Sequence, residues 1–300
     1  MRLGVDIGGT KTDVVLVSND VVVARHRAPS GFGEEDVIRG ATAAVDAVLA
    51  QAGVGFDAVR SVGIGVPGGV VDGVVTYALN LGLERLDLAG ALEAAWGVRP
   101  VVDNDVNVAA LGAWNQLGRS DDSLAYLNLG TGLAAGFILG GQLWRGARGT
   151  AGEIGHISVD PAGPLDADGL PGALETYASG SGITRQWGVD GAVARDVLDA
   201  AERGDERAVA IRNGISFGVA SAVRAIVLML DVERVILGGG LAADGEAILL
   251  GAATIFDEWG AHSDFLASLE LRNRLQGLRS DIPVAALGAA YLGAGDVGRG

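Results

Sequence analysis

Apolar residues along this chain come in short runs closed by glycine-rich or acidic turns, and beyond residue 30 these runs alternate with stretches of helical period. Leu3–Ile7, Val14–Val17 and Val21–Arg27 read as three strands, the first two joined through Gly8-Gly9 and the last two through Asn19-Asp20. Residues 34–52 change period. Val37, Ile38, Ala41, Val45, Val48, Leu49 and Ala52 recur at helical spacing behind an acidic first turn, with Gly53 as the stop. Val62–Val66 then predicts a strand, Leu88–Trp96 a helix, Arg99–Val102 a strand and Val106–Leu117 a helix.

The opening pattern then returns. Leu124–Leu129 and Leu133–Leu139 are apolar runs joined through Gly130-Thr131-Gly132, which implies an internal duplication and two related lobes facing each other. Val193–Arg203 and Glu206–Asp231 are helical in period, although Gly214 and Gly218 weigh against an unbroken second helix. Val235–Leu237 reads as a strand, Gly245–Trp259 as a helix, and Pro283–Gly293 as a closing segment that packs back on the first lobe. The expected division is residues 1–115 plus about 283–300 for the N-terminal lobe and 116–282 for the larger C-terminal lobe. Both are α/β, with a central cleft.

Composition narrows the class. Glycine, 49 of 300 residues, follows no collagen period and so marks turns and close backbone approaches. The absence of cysteine excludes disulfides and thiolate metal sites and suits a cytoplasmic protein. A net charge of −15 argues against nucleic acid and anionic membranes as partners. The apolar stretches are short or interrupted, Val219–Leu230 by Arg224, and no signal peptide is expected before the first strand.

Candidate chemistry centres on Val101–Trp114, where an apolar run ends in Asp103-Asn104-Asp105 and a helical pattern begins. Asp and Asn are the preferred helix caps, so one of the three is expected to cap. Three in succession exceed that need and point to a catalytic carboxylate at a strand end. Asp6, Gly8, Gly9, Thr10, Lys11 and Thr12 have the make-up of a phosphate cradle, with Asp6 placed to hold Mg²⁺ through water. Gly130, Thr131 and Gly132 form a second such bend. Gly238, Gly239 and Gly240 let a flat base approach the backbone.

These motifs, together with Glu153-Ile154-Gly155-His156, resemble in order and over nearly the whole chain the ROK family of repressors and sugar kinases. The resemblance implies the two-lobed, actin-like ATPase fold, a duplicated ribonuclease-H-like unit. It implies an ATP-dependent kinase that phosphorylates a free hexose hydroxyl, with ATP and Mg²⁺ as cofactors and Asp105 as general base. Asn104, Glu153, His156 and Glu175 match residues that bind sugar hydroxyls. Asn80 resembles the asparagine of a sugar-side loop whose usual Pro-Gly-Trp is missing here. The resemblance also implies a homodimer or homotetramer.

One motif departs from the family's. Where members carry three zinc-binding cysteines after the histidine, this chain has Asp166, Asp168 and Ala173, so zinc is expected to be absent. Asp166 or Asp168 is expected to accept the second His156 N–H instead. The alternatives are a sugar-binding ROK-type regulator without catalysis, a kinase for fructose, mannose or an N-acetylhexosamine, and polyphosphate as donor. The acidic charge disfavours the last.

Overall fold

The structure, a computed structural model, describes residues 1–241, 245–278 and 281–294. Its first sheet contains β1 (Arg2–Ile7), β2 (Lys11–Ser18), β3 (Val21–Pro29) and β4 (Ser61–Val66). A small antiparallel sheet follows, β5 (Gly69–Val71), β6 (Val74–Ala78) and β7 (Leu83–Asp87), and then β8 (Val101–Asn104) rejoins the first. The helices of this region are α1 (Glu34–Ala52), α2 (Leu88–Trp96) and α3 (Asp105–Gln116). The second sheet contains β9 (Ser123–Leu129), β10 (Leu133–Leu139) and β11 (Gln142–Trp144). After α4 (Leu174–Ala178), α5 (Gly180–Trp187), α6 (Ala194–Glu202) and α7 (Glu206–Leu230), that sheet gains β12 (Arg234–Gly238). It gains β13 (Leu275–Gly277) after α8 (Gly245–His262), α9 (Asp264–Ser268) and α10 (Leu271–Arg274), and α11 (Val284–Gly293) closes the chain.

The first sheet has the order β3-β2-β1-β4-β8 and the second the order β11-β10-β9-β12-β13. Each therefore places its own first strand centrally, its second and third on one side, and its fourth and fifth on the other. The fourth and fifth strands are parallel to the first in the first sheet, and β12 is parallel to both β9 and β13 in the second. This shared order is the duplication that the two glycine hairpins signal in the sequence. The chain divides into two compact units. One is Met1–Asp122, Gly136–Ala151 and Asp281–Gly300, and the other is Ser123–Ala135 and Gly152–Ser280.

In the first unit the sheet is covered on both faces. Leu3, Val5, Ile7, Val14, Leu16, Val62 and Ile64 point to one side, against Val37, Ala41, Val45 and Val48 of α1 and Leu88 and Leu92 of α2. Strand alternation sends Val15 and Val17 to the other side, where they meet Ala286, Leu287 and Ala290 of α11. A methyl group at Gly63 would lie 1.9 Å from the Ala289 carbonyl oxygen, and one at Gly288 would lie 1.7 Å from that of Val108. Helix α11 thus packs backbone to backbone on β4 and α3, and it fixes the helix that begins at Asp105.

Three expectations need correction. The strand predicted at Arg99–Val102 runs from Val101 to Asn104, since Pro100 has no N–H for a ladder and β8 pairs with β4 only from Gly63↔Val101 onward. Helix α7 is unbroken at Gly214 and Gly218. At Gly218 a methyl group would lie 2.8 Å from Cβ of Tyr177, so glycine there admits α4 rather than ending α7. The small sheet of β5–β7 has no counterpart in the predicted elements. Its first turn, Asp72-Gly73, has both residues at positive φ and is a strong two-residue hairpin signal. Helix α7 has the length and apolarity to cross a membrane, but half of its most apolar stretch is buried within the protein, as in a core helix.

On the same face as α11, Asp13 of β2 is buried and held by Arg25 and Arg27 of β3, each at 2.6 Å. Burial alone would raise the Asp13 carboxyl, but hydrogen bonds and charge from Arg25 and Arg27 outweigh it and hold the group below its ordinary value. A lowered folded-state value stabilises the fold above the unfolded-state value and loses that contribution as pH falls through the folded one. Asp13→Asn is therefore expected to cost about 1–3 kcal/mol at neutral pH in urea unfolding. The gap from the unchanged protein should close on acidification below about pH 4.

Candidate active site

The three glycine turns and the Asp-Asn-Asp turn lie at the carboxyl ends of β1, β9, β12 and β8, where open α/β sheets bind ligands, while Asn80, Glu153, His156 and Glu175 come from other elements. In the first unit, β1 leads into Gly8-Gly9-Thr10-Lys11. The Gly8 N–H is bonded to the Lys11 carbonyl at 2.9 Å, while those of Gly9 and Thr10 make no backbone hydrogen bond among the described residues. Thr10 and Lys11 are exposed. Thr12 is not: its hydroxyl is buried and donates to Ser30 Oγ, which donates to the Gly8 carbonyl at 2.6 Å. It braces the turn from below. Asn80 flanks the same turn, with its Cβ 3.0 Å from where a methyl on Gly9 would lie.

Asp6 lies two residues before this turn. Burial, and then the charges of Asp105 and Asp13, push its carboxyl up to about 8, against a smaller opposing effect of Arg27. Gly65 separates the two acids: a methyl there would lie 3.5 Å from Asp105 Cα and 3.6 Å from Asp6 Oδ1. Asp6 and Asp105 offer only oxygen donors, which suit a hard cation and no soft one, so the residues present fit magnesium held mainly by water and phosphate.

The Asp-Asn-Asp turn joins β8 to α3. Asn104 is the cap, with Oδ1 accepting from the N–H groups of Val106 (2.9 Å) and Asn107 (3.3 Å) and Nδ2 donating to the Gly68 carbonyl at 3.2 Å. Its amide oxygen is thereby occupied, which leaves one N–H for any sugar hydroxyl. Asp105 opens α3 and accepts from the Val106 N–H at 3.0 Å. Asp103 is buried and faces the other way, bonded to Arg145 and to the buried Asn107.

In the second unit, Gly152 and Gly155 lie along the start of β10. A methyl at Gly152 would be 1.8 Å from the Ala135 carbonyl oxygen, and one at Gly155 would be 2.4 Å from that of Leu133. The chain makes a single 3₁₀ turn there, Ile154–His156, which buries Ile154 and leaves Glu153 and His156 exposed. Glu175 reaches the same place from α4, where Oε2 accepts from the Leu133 N–H at 3.1 Å beside Gly132. Glu175 thus lies against the Gly130-Thr131-Gly132 hairpin, with the backbone of the Glu153–His156 turn beside it at Gly155. The first two carbonyls of that hairpin accept from the N–H groups of Gly180 and Ser181. Gly238 ends β12 under the hydroxyl of Tyr126, Gly239 has φ 92°, and Gly240 faces open space.

The segment in place of the zinc loop does not fit zinc. Ala173 has no donor and is buried, and Asp166 Oδ1 accepts from the N–H groups of Asp168 (2.9 Å) and Leu170 (2.8 Å). The expected bond from the His156 ring to Asp166 or Asp168 does not form among the described residues. Local geometry explains why: Asp166 folds its own turn. The loop is closed instead by Ser158 Oγ to the Pro171 carbonyl (2.7 Å), Gly172 N–H to that of Pro164 (2.9 Å) and the Tyr177 hydroxyl to Asp160 (2.8 Å). Metal analysis of the purified protein should therefore find no stoichiometric zinc, and a chelator should leave its melting temperature unchanged.

Arg145 and Ser30 lie outside the candidate motifs of the sequence, and Asp103, within the Asp-Asn-Asp motif, is a buried anchor. Arg145 and Asp103 are 42 positions apart in sequence, and no local pattern announces their pairing.

The ROK family's sequence profile matches residues 2–254. The glucokinase of Thermotoga maritima is 33% identical over 273 residues, which is 83% of this chain and 84% of the relative. The N-acetylmannosamine kinase of Shigella boydii is 31% identical over 275 residues, 89% of this chain and 92% of the relative. The crystal structure of a ROK family glucokinase from Streptomyces griseus, in complex with glucose and AMPPNP, matches with a TM-score of 0.76 and 30% identity. The match covers 98% of this chain and 99% of that one. The chain belongs to the ROK family. It has that family's actin-like α/β fold and falls among its sugar kinases.

Proposed function

We propose that this protein transfers the γ-phosphoryl group of ATP to a hydroxyl of a free hexose, with Asp105 as general base. The observation that carries the reading is the pairing of Asp105 with Asp6 beside the Gly8–Lys11 turn, one carboxylate for the proton and one for the cation. The sugar hydroxyl gives its proton to the Asp105 carboxylate as its oxygen bonds to the γ-phosphorus, and the bond from that phosphorus to the bridging oxygen breaks to release ADP. In the first unit, Lys11 and the N–H groups of Gly9 and Thr10 stabilise phosphate charge, while Asn104 and Asn80 each offer an amide to the sugar. In the second unit, Glu153, His156 and Glu175 read further hydroxyls, and Gly130–Gly132 and Gly238–Gly240 serve the nucleotide. Magnesium held near Asp6 would neutralise charge on the phosphates when bound.

Glucose leads the substrate candidates, because relatives named for it match this chain. The reading also assigns the protein to the cytoplasm, as a homodimer or homotetramer. Thermal melting with sugar alone and with Mg-ATP alone separates the alternatives. The kinase reading expects both to raise the melting temperature. Stabilisation by a sugar but never by Mg-ATP would overturn it in favour of a sugar-binding regulator.

A further inference from the structure

We infer that Arg145 and Asp103 form a positioning pair that sets the turn carrying Asp105. The inference rests on the reading of Asp105 as the base. Asp103 is buried, and its hydrogen bonds among the described residues hold that turn. Oδ1 accepts from the Asn104 backbone N–H at 2.7 Å and from Asn107 Nδ2 at 2.9 Å, while Oδ2 accepts from Arg145 Nε at 2.6 Å. Asn104, placed by its N–H, caps α3 and reaches the Gly68 carbonyl. One carboxylate thereby orients the cap, the first turn of the helix and the residue between them.

Arg145 is the element from outside. It follows β11 directly, and its side chain is only about one-third exposed. Without the guanidinium, Asp103 Oδ2 would be a buried anionic oxygen with no charged partner, and such an oxygen draws in water or rotates toward it. Either change releases the Asn104 N–H and tilts the Asn104–Asp105 peptide. Positioning errors of about 1 Å at a reacting group cost about 100-fold in rate. A purely structural pair would instead lower stability and leave the turnover of folded protein unchanged.

Arg145→Gln and Arg145→Lys test the pair. Arg145→Gln is expected to lower kcat by about 10- to 100-fold while KM for ATP stays within about twofold. Arg145→Lys should recover part of the loss, because it restores the charge without the planar donor. Asp103→Asn combined with Arg145→Gln should be little worse than Arg145→Gln alone. Amide hydrogen exchange supplies a readout independent of turnover. In Arg145→Gln the N–H groups of Asn104, Val106 and Asn107 should exchange at least about tenfold faster, with the strands of both sheets unchanged. Unaltered exchange at these three amides overturns the inference, as does a wild-type kcat in folded Arg145→Gln. If the unaltered protein phosphorylates no sugar, the kinase reading fails separately, and the catalytic role of the pair fails with it even where the exchange result holds.

Discussion

Replacing Asp105 with Ala is expected to lower kcat for sugar phosphorylation by about 100- to 10,000-fold, the usual contribution of a positioned general base. Asp105→Asn should fall as far, since an amide of the same shape cannot take the proton. Neither change should unfold the protein. The cap of α3 is Asn104, and the buried acid that anchors the turn is Asp103, so the two groups that hold the turn are left in place. Both variants should retain stabilisation by sugar and by Mg-ATP, which separates loss of chemistry from loss of binding. Removing Asp105 also removes a charge that raises the Asp6 carboxyl, so magnesium dependence should shift as well. Near-normal turnover in Asp105→Asn would mean that another group takes the proton.

The second large effect is on the fold. Gly288→Val is expected to destabilise by about 3 kcal/mol or more, the upper range for overpacking, because its Cβ would lie 1.7 Å from the Val108 carbonyl oxygen, where no rotamer relieves the clash. Since α11 bridges α3, β1 and β4, the strain falls on the helix that carries Asp105, and activity should decline before the protein unfolds. Gly240→Ala is the control. Nothing lies within 4 Å of its Cβ position, so it should change stability by less than about 0.5 kcal/mol. Urea unfolding of the two variants beside the unchanged protein measures both.

Strand and helix periods gave most of the elements, because each sheet buries whole apolar faces and α1 buries a continuous stripe. Boundaries failed where one atom decides, as at Pro100, which delays β8 until Val101. Helix α7 matches its predicted span, and only its continuity at Gly218 is hidden from the sequence, because that glycine answers to Tyr177, which is distant in sequence. The Asp72-Gly73 hairpin carries a local turn signal of its own.

Within the candidate site, residue types single out the turns, and the hydrogen bonds divide the work among their residues. Asn104 emerged as the cap, and Thr12 as a buried brace. Asp166 closes its own turn instead of orienting His156, a choice made by backbone N–H groups that sequence spacing does not display. Arg145 was invisible for the same reason, since its partner is set by tertiary structure.

The central claim is that this chain phosphorylates a free sugar at the expense of ATP. The most direct test is ADP formation from Mg-ATP across a panel of glucose, mannose, fructose, allose and N-acetylhexosamines, run beside Asp105→Ala. Strong turnover is expected on at least one sugar, with one ADP per sugar phosphate formed, and its loss in the variant. ADP formation that no sugar accelerates, or that Asp105→Ala leaves intact, would contradict it.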